Sequence, residues 1–165
     1  MEDRVCCHVA TGDVDVVDGT GWPEFEESCL VLDGDLKIAG APGESVNLAR
    51  VTGDVFVDDY DAEDLTILDN LEEVGDELFI RRTAVASLAG LERLRTIGGR
   101  LRLTDNAALE NVTALSELTS LDELMIQGNQ PLESLGGLES LESIGTVTIS
   151  RSALVTLGGL NPIQR

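Results

Sequence analysis

The residues best suited to do chemistry lie near the N-terminus. Cys6, Cys7, His8 and Cys29 comprise all three cysteines and the only histidine, a set that could hold zinc, form a disulfide or leave free thiols. Adjacent cysteines rarely ligate one ion well, and the short spacing typical of paired zinc ligands is missing. The sequence marks no acid or nucleophile beside His8, so we predict neither a metal site nor a catalytic residue here.

A second candidate is an acidic run at residues 58–64, which holds five carboxylates. Hard cations such as calcium favour clustered carboxylates. The run nevertheless lacks the glycine and the regularly spaced ligands of a known calcium loop. We therefore predict a solvated acidic loop, and no metal or other cofactor.

The composition limits the possible partners. The 165 residues carry 31 acidic against 11 basic side chains, a formal net charge of -20. Such a charge repels nucleic-acid phosphates and anionic membranes, so we predict no nucleic-acid partner. No run of about 18 apolar residues is present to insert into a membrane. Residues 1–4 are not followed by the apolar stretch of a signal peptide, and we expect that one has been removed.

A repeat indicates the elements that must position any site. Residues 78–80, 101–103, 124–126 and 147–149 each place two aliphatic residues around one outward residue, and the triplets start 23 residues apart. An apolar-x-apolar triplet is the alternation of a short strand. A period in the twenties is the length of one turn of a solenoid, so each repeat is predicted to be one coil.

Between the triplets the apolar residues are three apart, a spacing that suits neither an amphipathic helix nor a long flat strand. It is typical of a chain that bends repeatedly around a core. Three runs have this spacing: Val85, Leu88, Leu91, Leu94 and Ile97; Leu109, Val112, Leu115, Leu118 and Leu121; Leu132, Leu135, Leu138, Leu141 and Ile144. Asn106 and Asn129 occupy equivalent positions, where we predict a ladder of hydrogen bonds between coils.

Earlier triplets start at Val14, Leu36 and Val55, which brings the total to about seven coils of about 23 residues. Residues 19–28, with Trp22 and Phe25, are predicted to cover the open N-terminal end, where bare strand edges would invite aggregation.

The predicted architecture is therefore a single all-β solenoid domain spanning residues 1–165. Residues 1–33 would form the cap and first coil, and residues 34–165 the regular coils. We expect the last coil to be truncated at the C-terminus.

Two groups of segments carry a family resemblance. The first comprises Val5-Cys6, Cys29 one coil later, and Leu30-Val31-Leu32-Asp33-Gly34-Asp35-Leu36-Lys37-Ile38. The second comprises Ser87-Leu88-Ala89-Gly90-Leu91, Ile97-Gly98-Gly99-Arg100-Leu101-Arg102-Leu103, Ser134-Leu135-Gly136-Gly137-Leu138 and Thr156-Leu157-Gly158-Gly159-Leu160. Together they resemble the receptor L-domain family, found in the epidermal growth factor and insulin receptors. The resemblance covers nearly the whole chain.

The resemblance implies a short right-handed β-helix whose N-terminal cap is held by a disulfide of Cys29 with Cys6 or Cys7. A loop of that size would add about 3 kcal/mol to stability. The third cysteine would be left free or would join two chains. Much less is implied about the ligand, because fold does not fix function.

The chain departs from the animal receptors in two ways. It carries neither their cysteine-rich modules nor their kinase, so growth-factor binding is not carried over. Its acidic composition, with Lys37 as the only lysine, is more typical of a prokaryotic relative.

Stacked coils would align the outward residues of the triplets in one column: Asp15, Lys37, Phe56, Phe79, Arg102, Met125 and Thr148. Charged residues flank it, including Arg81 beside Phe79 and Arg100 beside Arg102. An apolar stripe with a charged rim is typical of a protein-binding site. We predict binding through Phe56, Phe79, Arg102, Met125, Arg81 and Arg100, unless a terminal extension or a neighbouring domain covers the stripe.

These observations favour a non-catalytic extracellular or cell-surface recognition module that binds a protein or a glycan through this face. The alternative is a structural envelope protein that forms homo-oligomers, end to end, through the stripe or through the spare cysteine. An intracellular leucine-rich-repeat-like adaptor is disfavoured. So is a polysaccharide-active β-helix enzyme using Asp54, Asp58 and Arg81, since such enzymes have more coils and long loops that form a cleft.

Overall fold

The computed structural model describes residues 7–23 and 29–160. Twelve strands lie in this part of the chain: β1 His8–Thr11, β2 Val14–Val17, β3 Leu30–Asp33, β4 Leu36–Gly40, β5 Leu48–Val51, β6 Val55–Tyr60, β7 Glu73–Val74, β8 Leu78–Arg81, β9 Thr96–Ile97, β10 Arg100–Thr104, β11 Glu123–Gln127 and β12 Thr146–Ser150. Helical residues in the described ranges are confined to two single-turn 3-10 helices, Thr66–Leu68 and Thr113–Leu115. The chain is therefore all-β, as predicted.

The strands form two parallel sheets. The larger has seven strands in the order β2-β4-β6-β8-β10-β11-β12, and the smaller has five in the order β1-β3-β5-β7-β9. Each coil up to β10 contributes one strand to each sheet, because consecutive strands alternate between them. Single parallel bridges of Ser120 with Thr96 and with Ser143 extend the smaller sheet. The result is a β-solenoid of about 6 turns, close to the seven coils predicted.

The inward residues of the coils form one continuous aliphatic core. The strand triplets from Leu78 to Ile126 place their paired aliphatic residues at 0% exposure, and the runs with a spacing of three are buried as far as Leu141. Full burial of one such side chain stabilises the fold by about 1.5–3 kcal/mol. Coverage falls in the last coil, where Ile144 and Ile149 are half-buried and Val147 is 38% exposed.

The predicted asparagine ladder is confirmed, and it lies inside the core. Asn106 and Asn129 are both 0% exposed. The Asn106 Oδ1 atom accepts hydrogen bonds from the Thr83 N–H at 3.1 Å and the Thr83 hydroxyl at 2.8 Å. Asn129 Oδ1 accepts in turn from the Asn106 N–H at 2.9 Å. Each side-chain amide also donates to a backbone carbonyl, of Ile80 and of Leu103 respectively.

A corner with a positive φ angle closes each strand of the larger sheet. The seven corner residues are Asp18, Gly40, Asp59, Arg82, Asp105, Gly128 and Arg151, with φ between 49° and 77°. The left-handed conformation costs most L-residues roughly 1–2 kcal/mol, although aspartate tolerates it better than most. The Asp18 side chain at this corner also holds the next coil, since its Oδ1 atom accepts the Ala41 N–H at 2.9 Å.

The N-terminal coil is closed by a disulfide between Cys7 and Cys29, 22 residues apart in the chain. Of the two implied pairings, the structure therefore has the one with Cys7, and Cys6 lies outside the described residues. His8 is exposed on β1, and Trp22 packs against the core. The predicted cap is described only in part, because Phe25 also lies outside the described residues.

Residues 29–40, in which only the triplet starting at Leu36 was predicted as a strand, hold two strands. β3 belongs to the smaller sheet and β4 to the larger. Between them the chain turns at Gly34, where a Cβ atom would lie 2.5 Å from the Gly12 carbonyl oxygen of the coil below. The backbones of successive coils approach too closely at this corner for any side chain.

Candidate ligand-binding face

The outward surface of the larger sheet is the candidate site. Its middle, which we name the central column, has the predicted members Asp15, Lys37, Phe56, Phe79, Arg102, Met125 and Thr148, each the register partner of the next. The residues two positions later form the trailing column: Val17, Ala39, Asp58, Arg81, Thr104, Gln127 and Ser150. Those two positions earlier form the leading column: Asp13, Asp35, Asp54, Glu77, Arg100, Glu123 and Thr146. Residues spaced by two share one face of a strand, so the three columns share this surface.

Two aromatic rings lie at the middle of the face. Phe56 and Phe79 are register partners on β6 and β8. Their ring centroids are 6.4 Å apart at an interplanar angle of 74°, an edge-to-face arrangement that is favourable for aromatic pairs. Both side chains are partly buried. They present an apolar area without projecting into solvent.

Two guanidinium groups lie against the Phe79 ring. Arg102 Cζ is 4.3 Å from the ring centroid and Arg81 Cζ is 5.3 Å from it, both within cation–π range. Arg102 Nη1 also donates to Glu77 Oε1 at 3.1 Å. Its buried Nε atom has no hydrogen-bond partner among the described residues. The ring and the two arginines thus form one contiguous surface.

The acidic run at residues 58–64 is not simply a solvated loop. It begins within β6, and Asp58 receives two hydrogen bonds from the Arg81 guanidinium. Asp59 likewise pairs with Arg82, whose Nε and Nη2 atoms donate at 2.8 and 2.7 Å. These contacts lower the pKa of Asp59 and raise those of both arginines, chiefly through the side-chain hydrogen bonds. Periodicity placed the run between coils, and the pairing with the next coil could not be seen from it.

The remaining predicted residues continue the face towards β12. Arg100 and Glu123 form an ion pair across neighbouring strands, with Nε 2.9 Å from Oε2. Met125 lies between Arg102 and Thr148 in the central column and is partly buried. The structure therefore brings all six predicted stripe residues onto one surface.

Three aspartates of the leading column also hold the coils together. Asp13 Oδ1 accepts the Asp35 N–H at 3.1 Å, Asp35 Oδ1 accepts the Asp54 N–H at 2.9 Å, and Asp54 Oδ1 accepts the Glu77 N–H at 2.9 Å. This ladder was not predicted, although the sequence has an aspartate just before each early strand of the larger sheet, which is the pattern that indicates it. The first three coils therefore carry aligned negative charge.

An open hollow lies beside the aromatic pair, where the trailing column is smallest. Its volume is about 540 Å³, and its walls include Asp15, Val17, Lys37, Ala39, Phe56 and Asp58. The hollow exists because Val17 and Ala39 stand where later strands carry Asp58 and Arg81. The hollow was not predicted from the sequence, because it depends on the trailing column and the predicted stripe follows the central column.

Residues 7–23 and 29–160 contain neither a cluster of metal-ligating side chains nor a membrane-spanning helix. No group of three or more His, Cys, Asp or Glu side chains there could hold a metal ion, and no helix there is long and apolar enough to span a membrane. Of the acids considered for an enzyme, Asp58 is paired with Arg81 and Asp54 accepts a backbone N–H. Both have structural roles.

Comparison with known proteins assigns the family. A family model described as Receptor L domain matches residues 28–153, more than half of the chain. Receptor L domains are non-catalytic ligand-binding modules of receptor ectodomains. The match does not support the expected prokaryotic source, and searches of curated proteins and of solved structures found no match. With its stacked parallel strands and leucine-lined core, the chain belongs to the receptor L-domain family.

Proposed function

We propose that this chain is an extracellular recognition module that binds a protein ligand through the outward face of its larger sheet. The observation that carries the proposal is the Phe56–Phe79 pair, partly exposed and backed by Arg81 and Arg102. Aromatic and arginine side chains are the residues most enriched at binding hot spots. Arg100 and Met125 extend the proposed contact along the same face.

The proposed location rests on the Cys7–Cys29 disulfide. Such bonds persist in oxidising compartments and are rare in the cytosol of most cells. Family membership supports the same location, because receptor L domains are ectodomain modules.

Site-specific photo-crosslinking tests the proposal. A photoreactive amino acid is placed at Thr148, at the end of the central column, or at the exposed Glu142, which lies outside β11 and β12. After incubation with the extracellular proteins of the source organism, Thr148 should give a discrete protein adduct and Glu142 should not. Phe79→Glu should reduce the adduct at least about tenfold, since losing a hot-spot side chain costs about 2 kcal/mol or more. Ser116→Glu adds the same charge at an exposed position outside the larger sheet and is the matched control.

Two results would contradict this proposal. Equal labelling from both positions, or an adduct insensitive to Phe79→Glu, would show that the ligand does not bind through the outward face of the larger sheet. Binding to a glycan array that is lost in Phe79→Glu, with no protein adduct from Thr148, would show a carbohydrate ligand instead.

Self-association is a second candidate, favoured by the apolar end of the solenoid. Val155 is 83% exposed and Leu157 is 55% exposed beside β12, the last strand of the larger sheet. If coils stack end to end, sedimentation velocity should show a size that rises with concentration in the wild type. Val155→Lys with Leu157→Lys should then abolish the rise, while Phe79→Glu should not. A concentration-independent monomer would exclude this candidate.

A further inference from the structure

The hollow between β2, β4 and β6 has an apolar floor. Val17, on its floor, is 53% exposed, and Ala39 occupies the neighbouring position on β4. One side is formed by Phe56 and Phe79, whose rings meet edge to face. A volume of about 540 Å³ lies within the range of about 300–1,000 Å³ for ligand pockets. It has room for one large side chain and part of the backbone that carries it.

The rim of the hollow has one carboxylate available to a partner. Asp58 and Asp59 are engaged by Arg81 and Arg82. The Asp15 side chain, in contrast, is 67% exposed and meets Lys37 at 3.9 Å, with Lys37 itself 55% exposed. Exposed pairs of this kind contribute little, so a cation from a partner can displace Lys37 without a large loss.

The charges around the hollow are arranged by coil. On this face, the three strands nearest to it and the residues just before them carry Asp13, Asp15, Asp35, Asp54 and Asp58 against one basic residue, Lys37. Arg81 of β8 also lines the hollow and is paired with Asp58. The next two strands carry the arginines of the face: Arg81, Arg100 and Arg102. Complementary potentials orient a partner and raise its association rate. The basic part of a ligand is therefore attracted towards β2.

From this apolar floor and acidic rim, we infer that the ligand is a basic protein segment that inserts a large apolar side chain over Ala39 and pairs a neighbouring lysine or arginine with Asp15. The inference rests on the proposed function and narrows its ligand class. It also gives the bound segment a direction, with its basic end over β2 and its other end over the arginines of β8 and β10.

Selection from a library of short random peptides displayed on phage, with the whole chain immobilised, tests the inference. Enriched peptides should place an aromatic or large aliphatic residue next to lysine or arginine. Synthetic copies should bind Ala39→Leu at least about tenfold more weakly than wild type, because the added side chain fills the hollow. Ala107→Leu adds the same bulk at an exposed position in the turn after β10, outside both sheets, and should bind as the wild type does.

The charge contact is tested with the same peptides. Asp15→Asn should weaken binding and make it less sensitive to salt, since salt screens exposed charge pairs. Lys37→Gln, which removes the competing cation, should strengthen binding. No enrichment, enrichment of acidic peptides, or unchanged binding to Ala39→Leu would overturn the inference.

The outcome is separable from that of the proposed function. A protein adduct at Thr148 that is lost in Phe79→Glu but retained in Ala39→Leu would leave the face as the binding surface and remove the hollow as its anchor point. Loss of the adduct in both variants supports both proposals.

Discussion

A side-chain amide is costly to bury in an aliphatic core unless it is hydrogen-bonded. Both ends of the Asn106 side chain are hydrogen-bonded. Asn106 makes hydrogen bonds to the coil below through both ends of its side chain, and its own N–H is satisfied by Asn129 above. Low local polarity strengthens such bonds and penalises their loss. The ladder therefore fixes the stacking register of these coils.

Asn106→Ala is expected to lower the free energy of unfolding by about 2–4 kcal/mol, because it leaves the Thr83 N–H and the Ile80 carbonyl buried without partners. Urea denaturation followed by circular dichroism measures the change. Gln127→Ala, on the outward face of β11, should change it by less than about 0.5 kcal/mol. Similar losses of unfolding free energy in the two variants would show that the asparagine ladder stabilises the fold no more than an exposed side chain does.

Asp59 provides a test by pH. Its hydrogen bonds from Arg82 hold the pKa in the folded state below the ordinary value of 3.8. Its contribution to stability is therefore present above that value and is lost as the pH falls through the lower, folded-state pKa. Asp59→Asn should destabilise the protein at neutral pH, and the difference from wild type should shrink in acid.

Asparagine is chosen because it removes the charge of Asp59 and still tolerates the positive φ of 52° at this corner. Asp61→Asn removes the same charge from an exposed neighbouring position and corrects for the general repulsion in an acidic chain. Denaturation curves at several pH values measure the difference in unfolding free energy between each variant and the wild type. A constant difference between Asp59→Asn and wild type at every pH would show that the ion pair does not stabilise the fold.

At the scale of the element, two kinds of turn connect the strands of the regular coils. Thr66–Leu68 and Thr113–Leu115 make a 3-10 turn, whereas Gly90 and Gly137 stand at the corresponding places of other coils with φ of 106° and 113°. A Cβ atom at Gly90 would lie 2.1 Å from the Leu65 carbonyl oxygen. Glycine is required there by both the backbone angle and the contact.

Gly90→Ala should therefore destabilise the protein by at least about 2 kcal/mol, because alanine at a positive φ is strained and the coil below cannot move away. Gly136→Ala is the matched control, since its nearest contacts are side-chain oxygen atoms at 3.6 and 3.8 Å. Thermal unfolding of both variants measures the difference. Equal unfolding temperatures would show that the coils separate more easily than the structure implies.

The elements that could be predicted from sequence are those with a strong period. Triplets spaced by 23 residues gave the strands of the larger sheet and the central column in register. The part of the smaller sheet in the regular coils was not predicted, because β7 and β9 have two residues each and two residues show no alternation.

The hollow could not be predicted for a different reason. It depends on two neighbouring small side chains, Val17 and Ala39, and on a register shift between β4 and β6 after Ile38. The register of β6 and β8, in contrast, has no shift and pairs Asp58 with Arg81. Periodicity finds positions that repeat, and this part of the face is where the repeat changes.

For the whole molecule, the two ends of the solenoid differ. The N-terminal coil is closed by Cys7–Cys29 and covered by Trp22, whereas the last coil exposes Val147, Val155 and Leu157. The covalent closure of the N-terminal coil is the difference open to direct measurement.

Replacing Cys7 and Cys29 by serine should lower the free energy of unfolding by about 3 kcal/mol, the value expected for a closed loop of this length. Cys6→Ser should have little effect. Mass spectrometry after alkylation without reductant should show one modified thiol in the wild type and one in the double variant. Three modified thiols in the wild type would mean that the disulfide does not form.

The repeated corner has a consequence for how such a gene can change in length. Four of the corner residues, Asp59, Arg82, Asp105 and Gly128, follow one another at intervals of 23 residues, and Arg151 continues the series. An in-frame duplication of the DNA for one interval would insert a coil that finds a matching neighbour on each side. Homologous genes are therefore expected to differ by whole coils, with smaller insertions confined to the irregular coils before Asp59.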